Sequence, residues 1–255
     1  MSDVPYDEWV SRIDRDIRKY GVTRTSDNKE EASSEDEEIL ASERDLVADL
    51  ACGTGIVTRK LFDKGYDVFG VDISSEMLTR AFDSDDGRGI MYLNQDICEL
   101  DLYSTIGTAV CLCDSLNYLL SDEELEAAFG GVSNFLYPGG LFIFDCNTSY
   151  KYREAIGEST IAEAGEDVSF IWDNFYDEDE NVNEYDLTLF IKREDGLYER
   201  AEETHLQRGI EKDDIERLAG KCGLEPVLIC DSDTDDEVRD DTERIYAVLR
   251  KPDNK

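Results

Sequence analysis

Apolar residues near the start of the chain recur at helical spacing. This pattern predicts an amphipathic helix over residues 5–20 that ends at Gly21. Residues 25–44 are dominated by Ser, Asp, Glu and Lys, a composition typical of a solvated connection. We therefore expect residues 1–45 to form one N-terminal helix and an acidic linker.

From residue 46 onward, short apolar runs alternate with helical patterns. The strand-like runs cover 46–50, 67–71, 90–93, 108–113 and 141–145. The helical patterns cover 57–64, 74–81 and 122–135. Alternation of this kind is typical of a parallel sheet with helices on both faces.

The alternation stops between about 165 and 210. Three strand-like runs follow one another there without an intervening helix, over 168–176, 184–192 and 197–208. Turn-forming residues separate them, which predicts antiparallel hairpins. A helix over 213–222 and strands over 226–230 and 244–249 then resume the first pattern.

These elements predict an α/β fold with a doubly wound, mostly parallel seven-stranded sheet and a small antiparallel β insertion. Residues 46–150 and 211–255 would form the ligand-binding α/β domain. Residues 151–210 would form the insertion, which we expect to cover the substrate site.

The charge of the chain narrows the classes of partner. Sixty-two acidic residues stand against 26 basic ones, which gives a formal net charge of −36. Nucleic-acid affinity comes largely from Lys and Arg that neutralise phosphates, and anionic membrane surfaces attract basic segments in the same way. We therefore expect no nucleic acid and no membrane as partner, whereas a small molecule or a basic protein partner fits the charge.

The cysteines indicate a reducing compartment. Seven of them are scattered along the chain, which does not resemble a secreted disulfide framework. With one histidine and no second cysteine pair near Cys111 and Cys113, we expect no metal site. Neither a signal peptide nor a run long enough to span a membrane is evident, so we expect a cytoplasmic protein.

A glycine-rich turn joins the first predicted strand to the first helix of the sheet. It reads Asp49-Leu-Ala-Cys-Gly-Thr-Gly55, and open α/β sheets bind nucleotide-like ligands at this place. The dinucleotide fingerprint requires a third glycine where this chain has Thr58, which disfavours a nicotinamide dehydrogenase. No Gly-Lys-Ser/Thr follows, so a phosphate-binding loop is excluded.

Three acidic residues fall at the ends of the first three predicted strands. Because the carboxyl ends of parallel strands meet at one edge, Asp49, Asp72 and Asp96 can converge on one ligand. A carboxylate at Asp72 suits ribose hydroxyls, one near Asp96 suits an exocyclic amine, and Asp49 can face a cationic amino-acid end. An acidic cradle of this kind favours a sulfonium cofactor over a phosphorylated one.

Four motifs in order resemble the class I S-adenosylmethionine-dependent methyltransferases. They are the loop 49–55, Gly70-Val-Asp-Ile-Ser-Ser-Glu-Met77, Asn94-Gln-Asp-Ile97 and Pro138-Gly-Gly-Leu-Phe-Ile-Phe-Asp145. The resemblance spans roughly 46–255 and implies a Rossmann-like methyltransferase fold with S-adenosylmethionine as cofactor. It carries the expected cofactor contacts onto Asp49, Ala51, Cys52, Gly53, Thr54, Gly55, Asp72, Ile73, Met77, Gln95, Asp96, Ile97 and Cys113.

Two further segments are similar to a narrower group of small bacterial methyltransferases, many of unassigned substrate. They are Cys111-Leu-Cys-Asp-Ser-Leu-Asn-Tyr118 and Glu203-Thr-His-Leu-Gln-Arg208. Members of that group usually carry a Tyr-rich segment ahead of the stretch that begins here at Pro5. Four residues precede Pro5 in this sequence, so we expect a shorter cover over the cofactor.

Candidate catalytic residues follow the fourth strand and lie on the insertion. Asp114 and Asn117 are placed to orient or deprotonate a methyl acceptor. His205, the one histidine, can accept a proton near neutral pH. Arg208 could bind an anionic substrate group or form an ordinary salt bridge. Tyr118 and Trp172 are the remaining candidates for substrate binding.

Two functions fit these features. The first is an S-adenosylmethionine-dependent methyltransferase, an enzyme that acts on a nitrogen or oxygen atom of a small molecule. The second is a non-catalytic protein that binds the cofactor and docks a basic protein partner through its acidic surface.

Overall fold

A computed structural model describes residues 4–28 and 34–253. Its six α-helices are α1 (Tyr6–Tyr20), α2 (Glu35–Asp45), α3 (Ile56–Asp63), α4 (Ser75–Asp83), α5 (Asp122–Phe135) and α6 (Lys212–Lys221). Short 3₁₀ turns follow at Ile97–Glu99 and Ser115–Tyr118, and a π-helical turn at Lys151–Ile156. No described helix is both long enough and apolar enough to cross a membrane.

Seven strands form the main sheet: β1 (Leu46–Leu50), β2 (Asp67–Asp72), β3 (Met91–Asn94), β4 (Ile106–Cys111), β5 (Leu136–Asn147), β10 (Glu225–Asp231) and β11 (Arg244–Arg250). Their order is β10-β11-β5-β4-β1-β2-β3. Strand β11 pairs antiparallel with β5 and β10, and the remaining neighbours pair in parallel. The predicted doubly wound, mostly parallel sheet is confirmed.

A second, antiparallel sheet has the order β6-β7-β8-β9. Its strands are β6 (Thr160–Ala164), β7 (Val168–Asp177), β8 (Val182–Lys192) and β9 (Tyr198–Arg208). The strand pairing places four side chains on one face: Trp172, Tyr185, His205 and Gln207. We call this the inner face, because Gln207 donates to Asp114 in the turn after β4.

The buried residues form a layer on each face of the main sheet. Helices α5 and α6 pack on one face, where Phe129 lies against Phe142 and Phe144. Helices α1 and α3 cover the other face through Ile13 and Leu61, among others. Both faces of the central strands are therefore buried, as expected for near-continuous apolar runs in a parallel sheet.

Four local expectations are corrected. Part of the predicted linker is helix α2, because Ser34 accepts the Glu37 N–H as a cap and the helix packs against β4. Strand β6 was not predicted, and β5 begins before the Pro-Gly-Gly turn rather than after it. Strand β4 ends at Cys111, two residues before the end that the sequence predicted. Residues 29–33 of the linker and 1–3 of the expected cover lie outside the described residues.

Candidate active site

The loop between β1 and α3 has a backbone that favours small residues. Ala51, Gly53 and Gly55 have positive φ angles of 53°, 55° and 72°. A side chain at Gly55 would place its Cβ 2.7 Å from the Tyr92 hydroxyl, whereas nothing lies within 4 Å of that position at Gly53. The loop thus packs tightly on one side and leaves room for a ligand above Gly53.

The Asp72 carboxylate lies against this loop at the end of β2. Its Oδ2 accepts the Gly53 N–H at 2.7 Å, and its Oδ1 accepts the Ser74 N–H at 2.8 Å. The Asn94 amide donates to the carbonyl oxygens of Asp72 and Ile73, which fixes the backbone on the far side. A carboxylate oxygen accepts more than one hydrogen bond, so Asp72 is held in place and can still accept from ligand hydroxyls.

Asp49, at the end of β1, is buried beneath the same loop. The Thr58 hydroxyl donates to its Oδ2 at 2.5 Å. Burial raises the pKa of Asp49 to about 7; the bonds from Thr58 oppose this rise, and the charge of Asp72 adds to it. Thr58 is therefore a hydrogen-bond partner of Asp49. The sequence did not predict this role, because there Thr58 was informative only as the residue that replaces the third glycine of the dinucleotide fingerprint.

Two apolar side chains after Asp72 face solvent. Ile73 is 69% exposed and Met77 is 41% exposed. Apolar groups beside a few fixed polar groups are typical of small-molecule sites. The two side chains therefore present apolar surface next to the Asp72 carboxylate.

The segment after β3 is held mainly by its own contacts. The Gln95 side chain donates to the Asp101 carbonyl and accepts the Asp101 N–H. The Asp96 carboxylate caps the following 3₁₀ turn by accepting the Cys98 N–H at 2.8 Å. Ile97 packs partly against the core. The side chains of Gln95 and Asp96 therefore stabilise the conformation of the loop after β3. The sequence did not predict this role for Gln95.

The backbone groups of Cys52 and Thr54 hold the loop between β1 and α3 in place. The Cys52 N–H donates to the Val71 carbonyl at 3.0 Å, which ties the loop to β2. The Thr54 carbonyl accepts from Arg59 of α3 at 2.8 Å. Both contacts stabilise the turn over which a ligand would lie.

The turn after β4 is strained and held by charged neighbours. Cys113 and Asp114 have positive φ angles of 60° and 49°, a conformation that side chains rarely adopt. The Asp114 N–H donates to Asp145 Oδ1 at 2.8 Å. Arg244 donates to Asp114 Oδ1 at 2.7 Å, and Gln207 donates to its Oδ2 at 2.8 Å. The carboxylate at the carboxyl edge is thus fixed by both sheets.

His205 belongs to an aromatic cluster on the inner face of the insertion. Its Nδ1 lies 3.3 Å from the Tyr118 hydroxyl, and its Nε2 lies 3.3 Å from Glu203 Oε2. The His205 and Tyr185 ring centroids are 5.7 Å apart, and those of Tyr185 and Trp172 are 5.2 Å apart. Three expected site residues therefore meet here: Tyr118 of the main domain and Trp172 and His205 of the insertion.

Asn117 has a different role from the one expected. Its side chain is fully buried, and its amide donates to the carbonyl oxygens of Asn147 and Arg208 at 2.8 and 2.6 Å. Its Oδ1 accepts the Asn147 N–H at 2.9 Å. The expectation that Asn117 touches an acceptor is corrected, because both polar atoms of its side chain are used to join β5 to β9.

Arg208 forms an ion pair with Asp122 of α5 at 2.7 Å. Its side chain is only 17% exposed in this pair. The sequence left two alternatives open for Arg208, the binding of an anionic substrate group and an ordinary salt bridge. The structure contains the salt bridge.

The bonds of Asn117 predict a large loss of stability when they are removed. We expect Asn117→Ala to lower the free energy of unfolding by about 3 kcal/mol, because buried backbone groups of Asn147 and Arg208 lose their partners. Urea unfolding followed by circular dichroism measures the change. Asn134→Ala, at an exposed position, is the control and should change stability by less than about 0.5 kcal/mol. Equal effects of both substitutions would contradict the role of Asn117.

Sequence reasoning also missed Arg244 and Gln207. Arg244 pairs with Asp145 as well as Asp114, and its guanidinium lies 5.5 Å from the centre of the Trp9 ring of α1. A signal for Gln207 existed, since it follows His205 by two residues and so shares its strand face. Nothing comparable marked Arg244, whose neighbours are far from it in the sequence.

Taken together, the fold and the glycine loop define a protein that binds a nucleoside-type cofactor at the carboxyl edge of its sheet. A family model described as "Methyltransferase domain" matches residues 47–140. The Bacillus subtilis (strain 168) protein YqeM, named as a methyltransferase without a stated acceptor, is 31% identical over 98% of this chain and 92% of its own. The chain belongs to the class I S-adenosylmethionine-dependent methyltransferases, and S-adenosylmethionine is its cofactor.

Solved structures agree with this classification. An S-adenosylmethionine-dependent methyltransferase from Clostridium acetobutylicum ATCC 824 is 27% identical and has a TM-score of 0.82, with 98% of this chain and 94% of that chain covered. CalS10, an amino pentose methyltransferase from Micromonospora echinaspora, has a TM-score of 0.71 at 16% identity, with 98% and 93% covered. At 16% identity, the similarity to CalS10 shows a shared fold only.

Proposed function

We propose that this enzyme transfers the methyl group to a nitrogen or oxygen atom of a small molecule bound between the main sheet and the insertion. The observation that carries the proposal is the meeting of the two sheets at Asp114 and His205. Gln207 of the inner face bonds Asp114, and His205 of the same face bonds Tyr118. A cationic or neutral acceptor also suits a chain of net charge −36 better than a nucleic acid does.

The residues at the carboxyl edge fit the cofactor. Asp49 would bind its ammonium group, Asp72 its ribose hydroxyls, and Ile73 and Met77 would flank its adenine. The open space above Gly53 accommodates the chain between these ends. When bound, the cofactor supplies an electrophilic methyl group on its sulfonium.

His205 would take the proton of the acceptor on Nδ1, the nitrogen that faces Tyr118, while its Nε2–H donates to Glu203. Its two nitrogens lie 3.3 Å from Glu203 and Tyr118, so the ring is oriented from both sides. Asp114, fixed by Arg244 and Gln207, would position the acceptor for in-line attack. The aromatic rings of Tyr118, Tyr185 and Trp172 would exclude water around the reacting atoms.

The role of Asp72 predicts a large loss of cofactor affinity. We expect Asp72→Ala to raise the Kd for S-adenosylmethionine at least tenfold, because charge-assisted bonds to hydroxyl groups are lost. Isothermal titration calorimetry measures the change. Asp83→Ala, on the exposed end of α4, is the control and should leave Kd unchanged. An unaltered Kd for Asp72→Ala would contradict the placement of the ribose.

The acceptor class is tested with S-adenosylmethionine that carries a radiolabelled methyl group. Purified enzyme is incubated with a fractionated metabolite extract, with RNA, and with basic proteins. Label in the small-molecule fraction supports the proposal. Label confined to RNA or protein, or cofactor binding without any transfer, would contradict it.

A further inference from the structure

Lys151 is a half-buried cation without an acidic partner. It lies in the π-helical turn that follows β5, and its Nζ donates to the amide oxygen Oδ1 of Asn147 at 3.0 Å. Within residues 4–28 and 34–253 it forms no ion pair, although the chain has 62 acidic residues for 26 basic ones. The other cation of this region, Arg244, is occupied by Asp114 and Asp145.

The position of Lys151 is electrostatically costly. Burial lowers the pKa of Lys151, and repulsion from Arg244 adds to the decrease, while Asp114, Glu243 and Asp145 oppose it. Buried charges in proteins are normally paired. An ammonium whose close contact is a neutral amide therefore has free capacity for an anion.

A chain of hydrogen bonds joins Lys151 to the proposed acceptor site. Asn147, which accepts from Lys151, donates to the Tyr152 hydroxyl at 3.2 Å. The Tyr152 hydroxyl donates to Gln207 Oε1 at 2.6 Å, and Gln207 in turn bonds Asp114. His205 is two residues from Gln207 on the same strand face, about 7 Å away.

Trp172 provides a buried donor that has no partner. Its Nε1 is buried and forms no hydrogen bond within the described part of the chain. The indole belongs to the cluster that contains Tyr185 and His205. Since buried donors are rarely left unpaired, this atom also indicates a ligand that carries oxygen.

We propose that Lys151 binds a carboxylate group of the methyl acceptor, which makes the acceptor a small amino-acid-like compound. Its nucleophilic nitrogen or oxygen lies toward His205 and Tyr118, and its carboxylate lies toward Lys151. Opposite charges at the two ends of the site would then orient a zwitterionic molecule. The inference rests on the proposed function.

The test compares acids with their amides. Methyl transfer from radiolabelled S-adenosylmethionine is measured with a panel of free amino acids and with the matching carboxamides. We expect the acids to have at least tenfold higher kcat/KM than the amides, since a charge-assisted bond is lost in the amide. Lys151→Met should remove this preference, and Lys192→Met, at an exposed position of the insertion, should keep it.

A second measurement does not depend on finding the acceptor. Lysine acetylation by acetic anhydride is followed by mass spectrometry in the presence of malonate, of malonamide, or of sodium chloride at the same ionic strength. Malonate should slow the modification of Lys151 at least threefold, whereas malonamide should not, and Lys192 should react equally in all three. Equal protection of Lys151 by all three additions would overturn the proposal.

The outcomes separate the two proposals. Loss of cofactor binding or of all small-molecule transfer by the unaltered enzyme would contradict the proposed function. Transfer to amides as fast as to acids, with cofactor binding intact, would contradict only the role of Lys151. Lys151→Gln is examined beside Lys151→Met, and circular dichroism establishes that each variant is folded.

Discussion

Replacement of His205 by alanine is expected to lower kcat by roughly 10²- to 10⁴-fold, the range typical of a lost general base. The acceptor nitrogen or oxygen must lose its proton as the methyl group is transferred, and His205 is the group that both sheets hold at this place. Its Nδ1 faces Tyr118 of the main domain and its Nε2 faces Glu203 of the insertion. Cofactor affinity should remain within about twofold, because no cofactor contact is proposed for this residue.

The assay for His205 is steady-state methyl transfer with an acceptor found by the radiolabel screen. Glu203→Gln should give a smaller decrease in kcat, since it removes the partner that orients the ring and leaves the base in place. Thr204→Ala is the matched control, because Thr204 lies on the opposite face of β9 and bonds Asp186. A His205→Ala enzyme that retains more than a third of the native kcat would contradict the assignment.

The fold could be predicted because its signals are local. Alternating apolar runs and helical patterns define a parallel sheet, and strand following strand defines an antiparallel one. The predictions of individual elements failed where the local composition indicates a loop but contacts with distant residues stabilise a helix or a strand. The acidic composition of 25–44 hides α2, which is stabilised by its cap at Ser34 and by its packing on β4. Strand β6 is exposed throughout and lacks an apolar face that would have marked it.

The cofactor class could also be predicted, since glycine geometry and strand-end acids are encoded in short segments. The partners of those acids could not. Thr58, nine positions from Asp49 in the chain, reaches it only because α3 folds back over β1. Arg244 reaches Asp114 because β11 inserts beside β5, a pairing that no local pattern specifies. Asn117 had a sequence position suited to catalysis, and only its hydrogen bonds to Asn147 and Arg208 show that it joins the two sheets.

The second large effect is expected at Asp49 and depends on pH. Burial holds the pKa of this carboxyl at about 7 when the cofactor is absent. The proposed contact with the cofactor's ammonium group requires the charged form. Affinity for S-adenosylmethionine should therefore rise about tenfold between pH 6 and pH 8, as one proton is displaced on binding. Calorimetry in buffers of different ionisation enthalpy measures both the affinity and the released proton.

Asp49→Asn should lower the affinity about hundredfold at pH 8 and remove its dependence on pH, because the amide carries no charge at any pH. Asp67→Asn is the matched control, since Asp67 is an exposed residue at the start of β2. An affinity that is constant from pH 6 to pH 8 in the native protein would contradict the proposed role of Asp49.

The stability of the cofactor-free protein should respond in the opposite direction. The pKa of Asp49 is raised from 3.8 in the unfolded chain to about 7 in the folded one. Between these values the folded state retains a proton that the unfolded state has lost, so the stability contributed by this group decreases as pH rises from about 4 to about 7 and stays at its lowest above 7. Asp49→Asn carries no buried charge, so at pH 8 it should melt at a higher temperature than the native protein. A variant that binds the cofactor more weakly and yet is more stable would separate the function of Asp49 from any structural one. A lower melting temperature for Asp49→Asn at pH 8 would instead show that the carboxylate supports the fold through Thr58.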